Sequence, residues 1–414
     1  MRIAIASRIF RPEPSAASFR LGALAGAFAD ARHETTVLTV RPPKHLAADG
    51  GGGPRPAYRV RRFPVLRDES GYVRGYVQYM SFDIPLFFRI LLGPKRDAVV
   101  VEPPPTTGFF VRLAAALRRT PYAYYAADIW SDAASQTGAP AWMVRIVRRL
   151  ELFALHGASV VLSVSDGVTG RLAELGVSDS VVTVGNGVDA ESFLSGLSGL
   201  DSGVGDDPGS GAAGSGAAGS GQATEFVYAG TASEWHGAEV FVRALPAVLA
   251  EAPGAVVRFI GGGSERGMIE GLADELGVRS AVRFEPAISA PELAPVLRGA
   301  TAALASVRPG SGYDFAFPTK LYSAAVCGAP LVYAGIGPAE DFVRTEVDGR
   351  PIGIGVPLDP DAVAAAMISA ARDADDLGSA ARRDAVSAWA RGAVGLDAVA
   401  ARAVREVVRA ASRG

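Results

Sequence analysis

Short apolar runs alternate with longer segments in which apolar residues recur every three or four positions, and this alternation continues along most of the chain. Brief apolar runs bounded by Gly, Pro or charge predict buried strands, and the 3.6-residue periodicity predicts helices. In the first half the pattern predicts strands at Arg2–Ser7, Thr35–Val40, Ala98–Val101, Tyr122–Ala126, Ser159–Ser163 and Val181–Val184, with helices at Ser18–Ala31, Phe109–Arg119, Trp142–His156 and Asp166–Leu175. It then restarts, with strands at Phe226–Tyr228, Val256–Ile260, Val282–Phe284, Ala302–Ala305 and Leu331–Tyr333. Helices are predicted between them at Ala238–Ala250, at Glu265–Leu276 and from Lys320. Strands and helices in strict alternation imply an α/β fold with parallel sheets.

Gly209–Gly221 contains only Gly, Ala and Ser. Such a stretch buries too little surface to offset its ordering entropy and is expected to be flexible. Either it is the domain hinge or it is a loop inserted just after the hinge; the clean return of strands on both sides favours the loop. The expected domains are residues 1–185 and 186–394, with a flexible loop at 195–223. Gly50–Pro54 reads as a second mobile loop. Ala380–Ala411 reads as helical, alanine-rich and basic, and the segment from about 395 to 414 is expected to pack back on the first domain.

Composition narrows the class. The chain has 414 residues, 49% hydrophobic and 20% charged, which suits a globular protein of two or three domains. Met1 runs straight into a strand pattern, so a secretory leader is not expected, and the apolar stretches are too short to span a bilayer. Cys327 is the only cysteine, which excludes an internal disulfide and fits a cytoplasmic protein. Its apolar neighbours indicate packing rather than reactivity. Four scattered histidines give no metal cluster, so no metal is expected.

The net charge of −2 hides an asymmetry. Residues 1–185 hold 23 Lys and Arg against 15 Asp and Glu, and the remainder holds 18 against 28. Basic clusters at Arg59–Arg62, Lys95-Arg96, Arg118-Arg119 and Arg145–Arg149 interleave with Phe87-Phe88, Phe109-Phe110 and Trp142. Two readings stand, a surface that meets anionic lipid or the solvated face of arginine-rich helices. No nucleic-acid module accompanies the charge, so nucleic acid is not an expected partner.

Only three of the 41 basic residues are lysines, and Lys320 is the only one after Lys95. It stands in Phe317-Pro318-Thr319-Lys320-Leu321-Tyr322, at the start of a predicted helix. A compact ammonium there suits a phosphate group; an ordinary surface lysine is the alternative. The first βα turn, Ser7–Ser18, lacks the Gly-x-Gly-x-x-Gly spacing of a dinucleotide site, which disfavours a dehydrogenase. Its length suits lining a cleft. Glu102-Pro103-Pro104-Pro105 and Asp128-Ile129-Trp130 each follow a buried strand, at the end where open α/β sheets bind ligands. Asp128 beside an indole suits a sugar; a helix N-cap is the alternative. Gly230-Thr231 and Gly261-Gly262-Gly263 end two strands of the second half, where glycines let backbone approach a ligand. Arg308 precedes Lys320, and the two together suit a diphosphate.

These runs, in order, resemble the GT-B retaining glycosyltransferases of family 4, in the branch that builds colanic-type surface polysaccharides. The resemblance rests on Phe10-Arg11-Pro12-Glu13-Pro14 with Arg20-Leu21, His33–Thr39, Glu102–Thr106, Asp128-Ile129-Trp130, Val164–Asp189 and Phe317–Pro330. It implies two Rossmann-like domains, one binding a nucleotide-diphosphate sugar and the other a lipid-linked or polysaccharide acceptor, with transfer in a cleft that closes and usually without a metal. Carried over, Lys320 with Arg308 stabilises the leaving diphosphate, aided by amides around Gly230 and Thr231. Gly261, Gly262, Gly263, Phe284 and Pro286 lie near the base, Pro318 and Thr319 in the donor signature, and Tyr322 and Ser323 near the ribose. Asp128, Ser15, Ala16, Arg20, Pro104 and Trp130 face the acceptor.

Three departures stand out. Ser323 replaces the family's ribose-binding glutamate, with Glu340 or Asp341 as possible substitutes. Ser15-Ala16-Ala17 replaces a glycine-rich turn. Ser233-Glu234-Trp235-His236 replaces cationic residues, leaving His236 as a substitute cation or a surface histidine. The expected activity is sugar transfer with retention, by a cytoplasmic enzyme, with a peripheral position at the inner face of the plasma membrane as an open option. The alternatives are a degenerate scaffold subunit and a nucleotide-sugar epimerase or hydrolase.

Overall fold

The computed structural model describes residues 1–13, 15–43, 46, 56–68, 71, 73, 75–136, 139–198, 224–310 and 314–413. Gly50–Pro54 and Gly209–Gly221 lie outside them, and the 195–223 loop is described only at its ends. Contacts divide the chain into two compact units, Met1–Gly187 with Leu396–Gly414, and Val188–Gly395.

The first unit is built on seven parallel strands: β1 (Arg2–Ala6), β2 (Glu34–Val40), β3 (Arg59–Phe63), β4 (Ala98–Val101), β5 (Tyr122–Ala126), β6 (Val160–Ser163) and β7 (Val181–Thr183), in the order β3-β2-β1-β4-β5-β6-β7. The central strands are buried along their length, which is why they read as unbroken apolar runs. β3 carries the Arg59–Arg62 cluster, and its placement at the sheet edge explains why so charged a segment forms a strand. Arg59 and Arg61 lie near enough to Arg96 to repel it, and Arg89 of the Tyr76–Leu91 helix rests over Phe63 at 3.4 Å. The Ala16–Asp30 and Leu396–Ala411 helices pack together on the sheet. A second row, Tyr76–Leu91, Pro105–Arg118 and Ala141–His156, packs side by side.

The second unit holds six parallel strands: β8 (Glu225–Ala229), β9 (Val256–Ile260), β10 (Val282–Glu285), β11 (Ala302–Ser306), β12 (Leu331–Ala334) and, after the antiparallel ribbon β13 (Glu346–Val347) and β14 (Arg350–Pro351), β15 (Gly353–Val356). Their order is β10-β9-β8-β11-β12-β15. Alternate residues of one strand feed two cores: Phe226 and Tyr228 join one cluster and Val227 the other. Both sheets reverse strand order at one point, between β1 and β4 and between β8 and β11, where open α/β sheets place ligands.

Ala380–Ala411 is helical as expected but interrupted: it breaks at Gly395, which adopts φ −63°, ψ 142°, giving Ala380–Val394 in the second unit and Leu396–Ala411 in the first. Glycine's low helix propensity allows the break. Among the described residues no helix is long and apolar enough to cross a membrane.

Candidate functional site

In the second unit a cavity of about 530 Å³ opens at the carboxyl ends of β8 and β9. Gly230, Thr231, Gly261, Gly262, Pro318, Thr319, Lys320 and Ser323 line it, with Trp235 and His236 beside them. Gly261 has φ +134°, and a Cβ there would stand 2.5 Å from the Gly230 carbonyl oxygen, so only glycine permits this approach of two strand ends. The Gly230 amide donates to Ile260 (2.8 Å) and the Gly261 amide to Glu285 (3.0 Å), which extends the sheet ladder rather than opening to the cavity. The Thr231 and Gly262 amides have no partner among the described residues and remain available.

Lys320 begins the Lys320–Val326 helix. Its Nζ lies 3.6 Å from the centroid of the Tyr228 ring and donates to the Thr231 carbonyl at 3.3 Å. The ring face and the carbonyl hold the ammonium electrostatically but supply no counter-charge. Enclosure without a carboxylate partner holds its pKa well below the usual lysine range. Helical geometry sorts the residues that follow. Lys320 and Ser323, three apart, line the cavity, whereas Tyr322 is buried and stacked on Phe317 at 4.3 Å, against Phe342. The structure therefore puts Tyr322 in the core rather than on the expected ribose side.

Arg308 is also diverted. Its guanidinium pairs with Glu239 (2.5 Å) and donates to the Glu234 carbonyl (3.0 Å), while its amide donates to Trp235 (2.8 Å). It fastens the 234–239 loop and does not line the cavity. Gly263 and Pro286 stand outside the lining, and Phe284 lines a smaller adjoining hollow together with Arg266, whose guanidinium lies 5.4 Å from its ring centroid. Glu340 is paired with Arg344, and neither Glu340 nor Asp341 lines the cavity. Among the described lining residues there is no carboxylate.

His236 is neither a cation nor a surface residue. It is buried, its ring is stacked on Trp235 at 3.6 Å, and its Nδ1 accepts from the Ser233 amide at 3.1 Å. Burial, reinforced by the nearby Lys320 charge, pushes its pKa down to about 3. The ring is therefore neutral, with its proton on Nε2. No local pattern signals this, because the burial depends on the 234–239 loop that Arg308 holds from a distant position.

In the first unit the strand ends carry side chains rather than glycines. Arg20 is buried, with its guanidinium bonded to Glu102 (2.9 Å) and Asn186 (2.8 Å) and lying over Tyr125 at 5.0 Å. Ser7 Oγ donates to the other Glu102 oxygen at 3.0 Å. Arg20 thus clamps strand ends together and does not stand open to an acceptor. Asp128 is not an N-cap: the Trp130 and Ser131 amides that open the Trp130–Gln136 helix donate to Glu151, at 2.7 and 3.0 Å. Asp128 is exposed, and partial desolvation by the surrounding strand ends, with Glu102 adding and Arg20 opposing, raises its pKa. Trp130 stands edge-on to Tyr79 at 6.2 Å. Ser15 caps the Ala16–Asp30 helix by accepting from the Ser18 amide, Ala16 is exposed, and Pro104 is buried ahead of the Pro105–Arg118 helix. Cys327 is buried among the second unit's apolar residues, and burial pushes its thiol up to about 12, in keeping with packing.

Two doubly wound parallel sheets, one with a ligand-sized cavity at its switch point, define the GT-B class of architecture. Residues 16–187 match the family described as glycosyl transferase 4-like domain, and residues 223–373 match glycosyl transferases group 1. Two glycosyl transferase domain models, one 4-like and one group 1, thus match successive parts of the chain. The fold is shared with HepE from Anabaena, solved with UDP (TM-score 0.66, 16% identity, covering 99% of this chain and 100% of that one). It is also shared with a glycosyltransferase from Rickettsia africae (TM-score 0.68, 13% identity, covering 100% and 99%). In sequence, 132 residues are 33% identical to D-inositol 3-phosphate glycosyltransferase 1 of Catenulispora acidiphila, a match over 30% of either chain. A second, 36% identical over 120 residues, is with the D-inositol 3-phosphate glycosyltransferase of Actinosynnema mirum and spans 28% of that relative.

Proposed function

We propose that the chain transfers a hexosyl group, with retention, from a nucleotide-diphosphate sugar held by the second unit to an acceptor hydroxyl held by the first. One observation carries this reading: the enclosed, unpaired ammonium of Lys320 faces a cavity rimmed by close-packed glycine turns. A cation kept without a counter-charge is preorganised for an anionic group, and its worth grows as charge develops on a departing diphosphate. The Thr231 and Gly262 amides and the His236 Nε2–H add neutral donors. Lys320 takes this role alone, since Arg308 is held by Glu239. HepE, solved with UDP and with UDP-glucose, supports a uridine nucleotide as the first donor to try. In the first unit, Asp128 is the exposed carboxylate at the strand ends, suited to accept a hydrogen bond from the acceptor hydroxyl. The acceptor we favour is a lipid-linked or polysaccharide glycan of the cell envelope; the inositol phosphate named for the two relatives is the alternative.

A second reading follows from the cavity's lack of a carboxylate. A donor ribose would meet the Ser323 hydroxyl, a weaker partner than a carboxylate, and a degenerate, non-catalytic unit is consistent with that. Calorimetric titration of UDP-, GDP-, ADP- and dTDP-sugars into wild type and Lys320→Ala separates the two. One nucleotide sugar binding wild type, and binding the variant about 10- to 100-fold more weakly, is the expected result for loss of a charge-assisted contact. Absence of binding across the series would establish the non-catalytic reading instead.

A further inference from the structure

The second row of helices in the first unit has an outer surface unlike that of an ordinary globular domain. On the Tyr76–Leu91 helix, Phe82, Leu86 and Ile90 are buried, as expected of an inward face. The opposite stripe is apolar as well: Val77, Ile84 and Phe88, continued by the cap residue Leu92, are between 44 and 78% exposed at spacings of seven, four and four. From Phe88 a row of aromatic rings crosses to the next two helices, Phe88–Phe87–Phe110–Phe109–Phe153, with successive centroids 5.1, 6.4, 5.4 and 5.2 Å apart. On the Ala141–His156 helix, Trp142 and Ile146 are exposed on the same stripe as Arg145 and Arg149. Leu117, 66% exposed, lies at the end of the helix between them.

The exposed charges carried by these three helices have one sign. The only acidic residues on the three helices, Asp83 and Glu151, are buried, and Glu151 is engaged by the Trp130 and Ser131 amides. Arg145, Arg149, Arg119 and Lys95 are exposed at its margin. Soluble domains rarely leave a contiguous apolar patch of this kind uncovered. Exposed aromatics set among cations, without acids, match the layered chemistry of an anionic bilayer surface, where rings enter the headgroup region and cations meet lipid phosphates. A second copy of the chain would bring like charges together.

We propose that the outer face of the Tyr76–Leu91, Pro105–Arg118 and Ala141–His156 helices docks on an anionic lipid surface. The proposal does not depend on the donor site, and nucleotide-sugar binding measured on the same preparations keeps the two readings separable.

The test is co-sedimentation of the full chain with vesicles of phosphatidylcholine alone and of phosphatidylcholine with phosphatidylglycerol. Wild type partitions to the anionic vesicles, and added salt weakens the partition. Phe88→Glu abolishes it, and so does Leu92→Glu at the most exposed position, which keeps the result readable should the first variant fold poorly. Arg145→Gln with Arg149→Gln lowers it on the order of twentyfold. Met268→Glu, at an exposed apolar position of the second unit, leaves it unchanged. Equal partition to both vesicle types, absence of partition, or a wild-type dimer that Phe88→Glu dissolves in sedimentation velocity would each overturn the proposal.

Discussion

The two units end their sheets in opposite ways. At the first unit's strand ends, Ser7, Arg20, Glu102 and Asn186 bond to one another, so the charges are consumed internally and Asp128 is left exposed at the rim. At the second unit's strand ends the backbone comes close through glycine, and the one ammonium at the cavity rests on a ring face and a carbonyl. A network whose charges are paired, even with the Arg20 Nε left without a partner, fixes geometry and discourages an ionic guest. An unsatisfied cation costs stability and waits for one. The same fold thus pairs its charges in one half and leaves an ammonium without a counter-charge in the other.

The contrast is most exposed to failure at Arg20. Arg20→Ala leaves Glu102 buried without its partner and is expected to destabilise the first unit by about 3–5 kcal/mol, read by urea denaturation. A cost under about 1 kcal/mol would dissolve the distinction. Next in size is an acid sensitivity confined to the second unit. His236 titrates at about 3 when folded, below its ordinary value, so below pH 6.5 the unfolded chain takes the proton first and stability falls with pH. Between pH 6.5 and 5 the loss is up to about 2 kcal/mol, and His236→Gln should flatten that slope. The smallest effect carries the opposite sign. Lys320→Met, which removes an unpaired enclosed charge, should leave the protein as stable or about 1 kcal/mol more so, while abolishing turnover. Substantial destabilisation would mean that the lysine is structural.

The strands were legible because both sheets are buried on two faces, so that Ile3–Ala6, Val99–Val101 and Phe226–Tyr228 print as apolar runs. β3 was hidden by the charges an edge strand tolerates, and β15 by its glycines. The Tyr76–Leu91 helix escaped because it is apolar on both sides and shows no period. At the site, Lys320 and the glycine turns could be read from rarity and spacing. What escaped were pairings between distant positions: Glu239 with Arg308, Glu151 with the Trp130 and Ser131 amides, and Asn186 with Arg20. The first and last turned Arg308 and Arg20 away from their expected roles, the second ruled out Asp128 as a helix cap, and none leaves a local signature.

The Leu396–Ala411 helix packs against the Ala16–Asp30 helix and strands β4, β5 and β6, although the whole second unit lies between them in the chain. On the ribosome this sets an order of assembly. The second unit has all its residues first, whereas the first unit waits for the final helix with part of its sheet uncovered. At about 5–20 residues per second that interval is on the order of ten seconds or more. During synthesis the amino-terminal half is thus the last to be completed, and the one most in need of a chaperone.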